Sequence, residues 1–419
     1  MTLKPIVASV LLLGLASSSA FAATPSNAGT QAQLDAMKAK IAKMEAVLQQ
    51  NQSGGFQQTN DWFNRITLSG QANVDGLMAN RTRLTNSDRH SSDINLNNAN
   101  LFVDFIASDW TKGHLSLAYQ PKSPAYSYST VAKDDNFTVD EAYVTIENFT
   151  KSPFYFMAGR QYINFGDYHR YPMVASLPQL LQETRATAAR VGFVDASGFN
   201  ASASLFRGNT YEDQRFNRTG ATRVQNFAVN AGFASQTDNL GYRVGISYLR
   251  NMADVNYVSN TGGLRNGFKD KVGAVSAYAG VNSGPFDAGV NYVTALQNFN
   301  QADMAYYTNG SSNTERGAKP AAWSVDAGYS FMTIGHQSRV GLGYEGSKEA
   351  SKTGVASSMT SLATVGMPKT RYQANYTVNV SKYTDIGFQV YYDRDYGVSD
   401  GGTGKNTLAG VARLAVKFA

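Results

Sequence analysis

The chain has 419 residues, a formal net charge of +6, 12% aromatic residues and no cysteine. A mean hydropathy of -0.31 argues against a bundle of membrane helices, and the absence of cysteine excludes thiol catalysis and thiolate-bound metal. The positive charge is mild and is not concentrated in a basic run, so we expect no nucleic-acid partner.

Residues 1–22 have the pattern of a secretory signal peptide. Lys4 gives a positive start, and residues 5–16 are mostly apolar but too few to span a bilayer. An A-x-A site at 20–22 predicts cleavage before Ala23. The alternative is a buried N-terminal helix.

Residues 23–62 are predicted to form a periplasmic helical segment followed by a linker. The linker covers residues 49–60 (QQNQSGGFQQTN). A helix this short is marginal alone, so the pattern predicts partner helices in a homotrimer; the alternative is a flexible tether. The residues of the expected coiled-coil seam step by three and four along the chain: Leu34, Met37, Ile41, Met44 and Leu48.

Residues 63–419 are predicted to form an all-β transmembrane antiparallel barrel. The clearest strand is RYQANYTVNV at 371–380, in which the even positions are mostly apolar and the odd positions are polar without a break. This alternation is typical of a membrane barrel, with lipid outside and water inside. The 24 tyrosines and 22 phenylalanines suit the aromatic girdles of such a barrel.

Segments of this kind give about sixteen strands, an even number as expected for a bacterial barrel. Long and short connections alternate between them, which is typical of a barrel with long outer loops, short periplasmic turns and both ends in the periplasm. The predicted strands are 65–76, 93–108, 112–120, 137–148, 153–163, 186–195, 198–207, 222–235, 240–252, 269–282, 285–298, 320–332, 337–347, 367–381, 384–396 and 406–418.

The third long connection, 164–185, is the strongest candidate for a constriction. Its apolar residues need a surface to pack on, which the inner wall would supply, and residues 178–185 are predicted to form a short amphipathic helix. The alternative is an outer loop packed on its neighbours. The charged residues of this connection are Asp167, His169, Arg170, Glu183 and Arg185.

Further charges are predicted to face the lumen from the strands. They either set the field that a solute meets or neutralise one another across neighbouring strands. The cations are Arg190, Arg243, Arg339, Arg371, Arg413 and Lys417, and the opposing acids are Asp287, Asp326, Glu345 and Asp393. The predicted solute contacts are Arg170, Arg185, Arg190, Arg371 and Arg413.

Catalytic and metal sites are not expected, and neither is a cofactor. The four histidines fall in different segments with no i, i+4 pairing, so no zinc-like spacing is present. His90 lies near Ser91, Ser92 and Asp93, but adjacency in one loop is weak support for a catalytic set. We therefore expect a protein that is not an enzyme.

The stretch VDEAYVTIENFTKSPFYFMAGRQYINFGDY, Val139–Tyr168, resembles the LbtU-type siderophore porins of the outer membrane. The resemblance continues through RYPMVASLPQLLQETRATAARVGF, Arg170–Phe193, and extends over most of the mature chain. It implies a single-chain barrel that takes up an iron-chelating siderophore. One departure is the C-terminus, where Ala419 follows Phe418, although many outer-membrane proteins end in an aromatic residue.

The expected function is an outer-membrane channel that takes up a siderophore or ferric siderophore without a plug domain, in a Gram-negative bacterium. The expected partners are outer-membrane lipid and a small anionic solute such as a siderophore. The alternatives are a general or anion-leaning diffusion porin and an adhesion barrel whose outer loops bind a partner. A large plugged receptor is disfavoured, because about forty residues before Arg65 cannot supply a plug.

Overall fold

The computed structural model describes residues 65–80, 90–120, 136–167, 173–210, 224–237, 239–261, 263–264, 267–353 and 366–418. The expected signal peptide and coiled-coil segment lie outside the described residues. His169 and Arg170, two of the predicted site residues, also lie outside them.

The regular secondary structure of the described chain is almost entirely β-strand. The strands are β1 (Ile66–Ala79), β2 (Ser91–Ile106), β3 (Thr111–Gln120), β4 (Asn136–Glu147), β5 (Phe154–Tyr162), β6 (Arg185–Val194), β7 (Phe199–Phe206), β8 (Asn226–Gln236), β9 (Leu240–Leu249), β10 (Ala274–Ser283), β11 (Phe286–Ala295), β12 (Ala305–Thr308), β13 (Ser311–Gly317), β14 (Ala321–Thr333), β15 (His336–Lys348), β16 (Thr370–Ser381), β17 (Thr384–Arg394) and β18 (Asn406–Phe418). One α-helix, α1, spans Leu177–Leu180, and 3-10 turns lie at Met252–Asp254, Val258–Asn260 and Val398–Asp400.

Sixteen of the described strands close into one antiparallel barrel, which confirms the predicted fold. Each strand pairs with its neighbour in sequence, except that β11 pairs with β14, and β1 closes the ring on β18. The predicted strand at 269–282 begins five residues late, at Ala274, because the residues before it fold into loop structure. No described helix is long and apolar enough to span a bilayer.

The two faces of the wall follow the predicted alternation. Tyr372 is 48% exposed on the outside of β16, whereas Arg371 and Gln373 are buried on the inside. Outward-facing aromatic side chains form a girdle near each rim, at the depth where such rings anchor a barrel in a membrane. Those toward the long loops include Tyr248, Tyr292, Trp323, Tyr344 and Tyr392, and those toward the short turns include Phe154, Phe199, Phe233, Phe286 and Tyr329.

The connections after β9, β11 and β15 pack together into a structure that we call the cap. The connection after β11 contains the hairpin β12–β13, which stands apart from the barrel sheet and was not predicted from the sequence. The apolar core of the cap includes Met252, Phe268, Phe299, Met304 and Met367, each at most 2% exposed.

Two carboxylates are buried in the cap. Asp254 accepts hydrogen bonds from the backbone and hydroxyl of Thr210, at 2.8 and 2.6 Å, and from Nδ2 of Asn226, at 2.7 Å. Asp303 accepts from the backbone N–H of Lys269, at 2.9 Å. Burial raises the pKa of both carboxyls above their ordinary value, because the charged form is poorly solvated.

Candidate functional site: a constriction across the barrel

The described residues 163–167 and 173–184, which we call the crossing segment, connect β5 to β6 inside the barrel. The segment begins and ends at the wall, where the N–H of Ile163 donates to the carbonyl oxygen of Thr184 at 2.8 Å. This bond extends the β5–β6 ladder by one step. The chain between these two residues therefore leaves the sheet while its two ends stay hydrogen-bonded to each other.

The first part of the crossing segment lies along the inner face of the wall. Nδ2 of Asn164 donates to Oγ of Ser202 on β7 at 3.1 Å, and the N–H of Gly166 donates to Oγ of Ser247 on β9 at 3.1 Å. The carboxylate of Asp167 then forms an ion pair with Arg243 on β9 at 2.8 Å. The segment thus follows the wall away from β5.

The second part of the crossing segment is held by the opposite wall. The N–H of Met173 donates to Oε1 of Gln389 on β17 at 2.5 Å, and the N–H of Leu177 donates to Oε2 of Glu345 on β15 at 2.8 Å. In the closed strand order, β15 is eight strands from β5, which is half of a sixteen-strand ring. The segment therefore spans the full width of the barrel.

The inward side chains that hold the segment are themselves linked across three strands. Oε1 of Glu345 accepts from Gln373 at 2.9 Å, and Oε1 of Gln373 accepts from Gln389 at 2.8 Å. Because Glu345 and Gln389 also bind the segment, at Leu177 and Met173, the wall forms one continuous bracket around this part of its backbone. Such a satisfied polar network rigidifies the groups it contains.

Arg371 lies at the centre of this bracket and has no exposed side-chain surface. Its guanidinium donates to both oxygens of Asp393, at 2.8 and 3.1 Å, and lies 4.9 Å from the ring centroid of Tyr391. The remaining donor, Nη1, reaches the carbonyl oxygen of Ala175 on the segment at 2.9 Å. The guanidinium of Arg371 therefore leaves no surface for a solute.

Arg413 repeats this arrangement on the neighbouring part of the wall. It makes two hydrogen bonds of 2.7 Å to the carboxylate of Asp75 on β1. Its Nη2 also donates to the carbonyl oxygen of Met173 at 3.0 Å. Arg371 and Arg413, both predicted as solute contacts, are thus placed where they bind the backbone of the crossing segment.

The return of the segment to β6 is covered by apolar and amide contacts. Ser176 caps α1 by accepting from the N–H of Gln179 at 3.3 Å, and the helix ends at Leu180 instead of continuing to 185 as predicted. Nε2 of Gln182 donates to Ser276 on β10 at 2.7 Å and to Asn291 on β11 at 2.8 Å. Leu177, Leu180 and Leu181 are fully buried, as the packing argument from the sequence required.

The other predicted site residues lie near the point where the segment rejoins the wall. Arg185 is the first residue of β6 and pairs with Asp140 of β4. Glu183 accepts from Nε2 of Gln179 at 2.7 Å, and its carbonyl oxygen accepts from the N–H of Asn256 in the cap at 2.9 Å. Arg190 is buried, with its Nε donating to Ser204 at 3.1 Å.

Ion pairing is the common state of the predicted lumen cations. Arg339 binds Asp287 through two hydrogen bonds of 3.0 and 2.7 Å, and Lys417 binds Asp385 at 2.6 Å. Together with the pairs of Arg371 and Arg413, these contacts favour the neutralised lattice that the sequence left open as an alternative.

The inner faces of β2 to β4 present a different surface. Asn98, Asn100 and Phe102 on β2 are only half-buried. The ring of Phe102 stacks with His114 on β3, and His114 stacks with Tyr143 on β4 at a centroid distance of 5.0 Å. Asp104, whose side chain is 53% exposed, contacts Nδ1 of His114 at 2.6 Å. This wall combines amides and aromatic rings with acidic side chains, among them Asp93, Asp104 and Glu141.

Sequence reasoning missed the neutral members of the site. These members are isolated amides in the sequence: Gln182, Asn291, Gln373 and Gln389. Three of them face inward from a strand, and Gln182 donates hydrogen bonds to two strands. No other feature of the sequence distinguishes them from the remaining amides. Among the described residues, no group of three His, Asp or Glu side chains is arranged to hold a metal ion.

Comparison with known proteins gives distant relatives. No protein-family model matches the chain. A UPF0422 protein of Coxiella burnetii is 26% identical over 324 residues, which cover 77% of this chain and 63% of that protein. A UPF0422 protein of Legionella pneumophila is 25% identical over 348 residues, covering 80% of this chain and 60% of that protein. The chain thus spans about three fifths of the length of these relatives.

Solved structures with a similar fold are outer-membrane porins and channels. OmpF of Salmonella typhi, in complex with daunomycin, matches with a TM-score of 0.54 and 13% identity, over 87% of this chain and 100% of that one. The anion-selective porin of Comamonas acidovorans matches with a TM-score of 0.55 and 9% identity, over 84% of this chain and 99% of that one. OprB of Pseudomonas putida matches with a TM-score of 0.54 and 11% identity, over 86% of this chain and 96% of that one. At these identities the likeness shows a porin-like fold.

Proposed function

We propose that the chain is a diffusion channel of the Gram-negative outer membrane whose width is set by the crossing segment, and that it is not an enzyme. The observation that carries this proposal is the attachment of the segment at Met173, Ala175 and Leu177 to the wall opposite its origin. A barrel of sixteen strands is wide enough for an aqueous channel. A segment fixed across it divides that lumen and leaves a narrower passage.

The passage in this proposal lies between the crossing segment and the inner faces of β2 to β4. The hydrogen bonds described for the segment lead to β7, β9 to β11 and β15 to β18. The half-buried amides and rings of β2 to β4 remain as the facing surface. Because Arg339, Arg371, Arg413 and Lys417 are each paired with an acid, we expect little selectivity for anions.

The test is the size limit for uncharged solutes in liposome-swelling assays. A variant in which 174–181 are replaced by a short Gly-Ser link is expected to admit larger sugars and polyethylene glycols than the wild type. Removal of 306–316 from the β12–β13 hairpin is the control for loop shortening in general, and we expect it to move the limit less. An unchanged limit in the 174–181 variant would contradict the proposal.

A second candidate function is the uptake of a ferric siderophore. The observation that favours it is the extent of the siderophore-porin resemblance, since residues 139–193 comprise most of β4, then β5, the crossing segment and β6. The resembling stretch therefore contains the whole constriction. Arg170 is proposed as its solute contact, because a planar guanidinium binds carboxylates through two parallel hydrogen bonds.

The two candidates differ in what a charge reversal changes. Arg170→Glu is expected to reduce ferric-siderophore uptake by cells more than chloride conductance in planar bilayers if the siderophore is the solute. A diffusion channel predicts the opposite order, because small ions sense the whole lumen field. Arg207→Glu, just past the end of β7, is the control for charge.

A homotrimer remains part of the proposal and is tested by the native mass of the detergent-solubilised protein.

A further inference from the structure

Basic side chains gather at one rim of the outward surface. Arg160 on β5, Lys348 on β15 and Arg394 on β17 occupy outward-facing positions near the ends of their strands. Arg207 and Arg250 continue the outward faces of β7 and β9 by one residue. We call these five residues the rim cations. All five lie on the side of the long loops.

The register places the rim cations just beyond the membrane-facing surface. Side chains two residues apart on a strand point the same way, so Arg207 follows Leu205, Arg250 follows Tyr248 and Arg394 follows Tyr392. Leu205 is 59% exposed, as expected for a lipid-facing side chain. Two residues advance a strand by roughly 7 Å. This step takes the chain from the aromatic girdle to the depth of lipid headgroups.

No rim cation forms an ion pair within the described chain, although the charge of Lys348 acts on its sequence neighbour Glu349. The ion pairs of the described residues involve the inward cations and those of the cap and the short-turn rim, and none involves a rim cation. Nε of Arg160 is buried without a hydrogen-bond partner. The guanidinium of Arg250 lies over the ring of Phe227 at 5.8 Å, a contact that supplies no opposite full charge.

The opposite rim is arranged differently. Its exposed cations include Lys151 and Lys382, which lie in short turns beside the rings of Trp110 and Tyr383. Carboxylates share that rim, as at Asp195 in the turn before β7. Single-sign charge at outward strand positions is therefore a property of the long-loop rim. Arg185 also lies near that rim, but it is buried against Asp140 and is not one of the rim cations.

We propose that the rim cations bind the phosphate groups of the outer-leaflet lipid around the barrel. Phosphate is the anion that lies at this depth, and the guanidinium of Arg binds it through two parallel hydrogen bonds. The cations occur on both sides of the ring, on β5, β7 and β9 and on β15 and β17, so several lipids can be held at once. This inference rests on the proposed membrane location.

The test uses fluorescent bisphosphorylated lipid A and the purified full-length protein in detergent micelles. We expect roughly fivefold weaker binding for each cation removed in the series R394Q, R207Q/R394Q and R207Q/R250Q/K348Q/R394Q, as is usual for basic side chains at an anionic membrane surface. The matched control K151Q/K382Q, on the opposite rim, is expected to bind like the wild type. Dephosphorylated lipid A is expected to bind weakly and equally to every variant.

Two outcomes would overturn the proposal. One is unchanged binding of bisphosphorylated lipid A by the quadruple variant with its heat-modifiable mobility intact. The other is complete competition by inorganic phosphate, which would indicate a site for free anions instead of lipid. Planar-bilayer conductance is measured in parallel on the wild type. Absence of a conducting pore would contradict the proposed channel without affecting the lipid measurement, so the two failures are distinguishable.

Discussion

Nη1 of Arg371 donates a hydrogen bond of 2.9 Å to the carbonyl oxygen of Ala175, and this bond joins β16 to a segment that leaves the wall at β5. The direction of the guanidinium is fixed by Asp393 on the next strand, through two further hydrogen bonds. The wall therefore presents a preformed donor to the backbone of the segment. The crossing segment is therefore attached to the sheet by specific hydrogen bonds and does not only pack against its surface.

Arg371→Gln is expected to release this part of the crossing segment. The substitution leaves Asp393 and Glu345 buried without their cation, and breaking a buried pair in this way costs about 3–5 kcal/mol. We expect larger and noisier single-channel currents in planar bilayers and a lower temperature for the heat-induced mobility shift on gels. Arg371→Lys, which keeps the charge but loses the planar donor geometry, is expected to be intermediate.

The control for this substitution is Arg339→Gln. Arg339 is also buried and paired, and its described partners, Asp287 and Asn375, belong to the wall. We expect it to lower barrel stability without adding current noise. If Arg339→Gln and Arg371→Gln changed the current in the same way, the noise would reflect general loosening of the barrel and not release of the segment.

Gly166→Ala tests the near-wall half of the segment. Gly166 has φ +86°, a conformation that costs a residue with a side chain about 1–2 kcal/mol, and an added methyl group would overlap the side chain of Gln182. We expect faster limited proteolysis near this residue. Gln182→Ala removes the overlap but also the hydrogen bonds of Gln182 to Ser276 and Asn291, so this single variant is the reference for the double variant Gly166→Ala/Gln182→Ala. Relative to that reference, we expect proteolysis of the double variant to be faster by the backbone cost alone. Equal rates in the two variants would show that the backbone conformation carries no cost.

The barrel itself followed from the sequence because strand periodicity is local information. The stretch 371–380 gave both faces of β16, and the structure buries Arg371 and exposes Tyr372 as expected. The hairpin β12–β13 was missed because it lies in a connection, where two short strands with no alternating apolar face resemble an ordinary loop.

The site was predicted less well, because partner choice depends on how strands far apart in sequence face each other. Arg371 and Arg413 were placed on the inner wall correctly, yet their partners Ala175 and Met173 lie 196 and 240 residues away in sequence. A cation that faces a lumen looks the same in sequence whether it meets a solute, an acid or a backbone carbonyl. Only the position of the crossing segment distinguishes these cases.

Single-cysteine labelling tests which rim faces outward in the cell. The chain has no cysteine, so each substitution introduces a unique label site. Ser311→Cys lies at the exposed tip of the β12–β13 hairpin, and Ser381→Cys lies beside a short turn. On intact cells a bulky polyethylene-glycol maleimide is expected to label the first variant only, because the long loops are extracellular. Labelling of Ser381→Cys without permeabilisation would reverse the assigned orientation.

The last prediction concerns the effect of pH on the cap. Burial raises the pKa of the Asp254 and Asp303 carboxyls above the values they have in an open, solvated cap. A group with a raised pKa contributes stability that is fully present below its unfolded pKa and is lost as pH rises through the folded pKa. Both carboxyls therefore favour the closed cap more at mildly acidic pH than at neutral pH.

Backbone hydrogen exchange, corrected for the intrinsic effect of pH, is accordingly expected to slow around 251–258 as pH is lowered from 7 toward 4. Asp254→Asn removes the titrating group and is expected to flatten this dependence. The substitution also replaces one acceptor oxygen by a donor beside Nδ2 of Asn226, so exchange in this variant is expected to be faster at every pH. The barrel strand β16, whose exchange reports on the wall, serves as the internal reference. If exchange around 251–258 accelerated on acidification in the wild type, the carboxylate form would be the one that stabilises the cap, and burial would not control its titration.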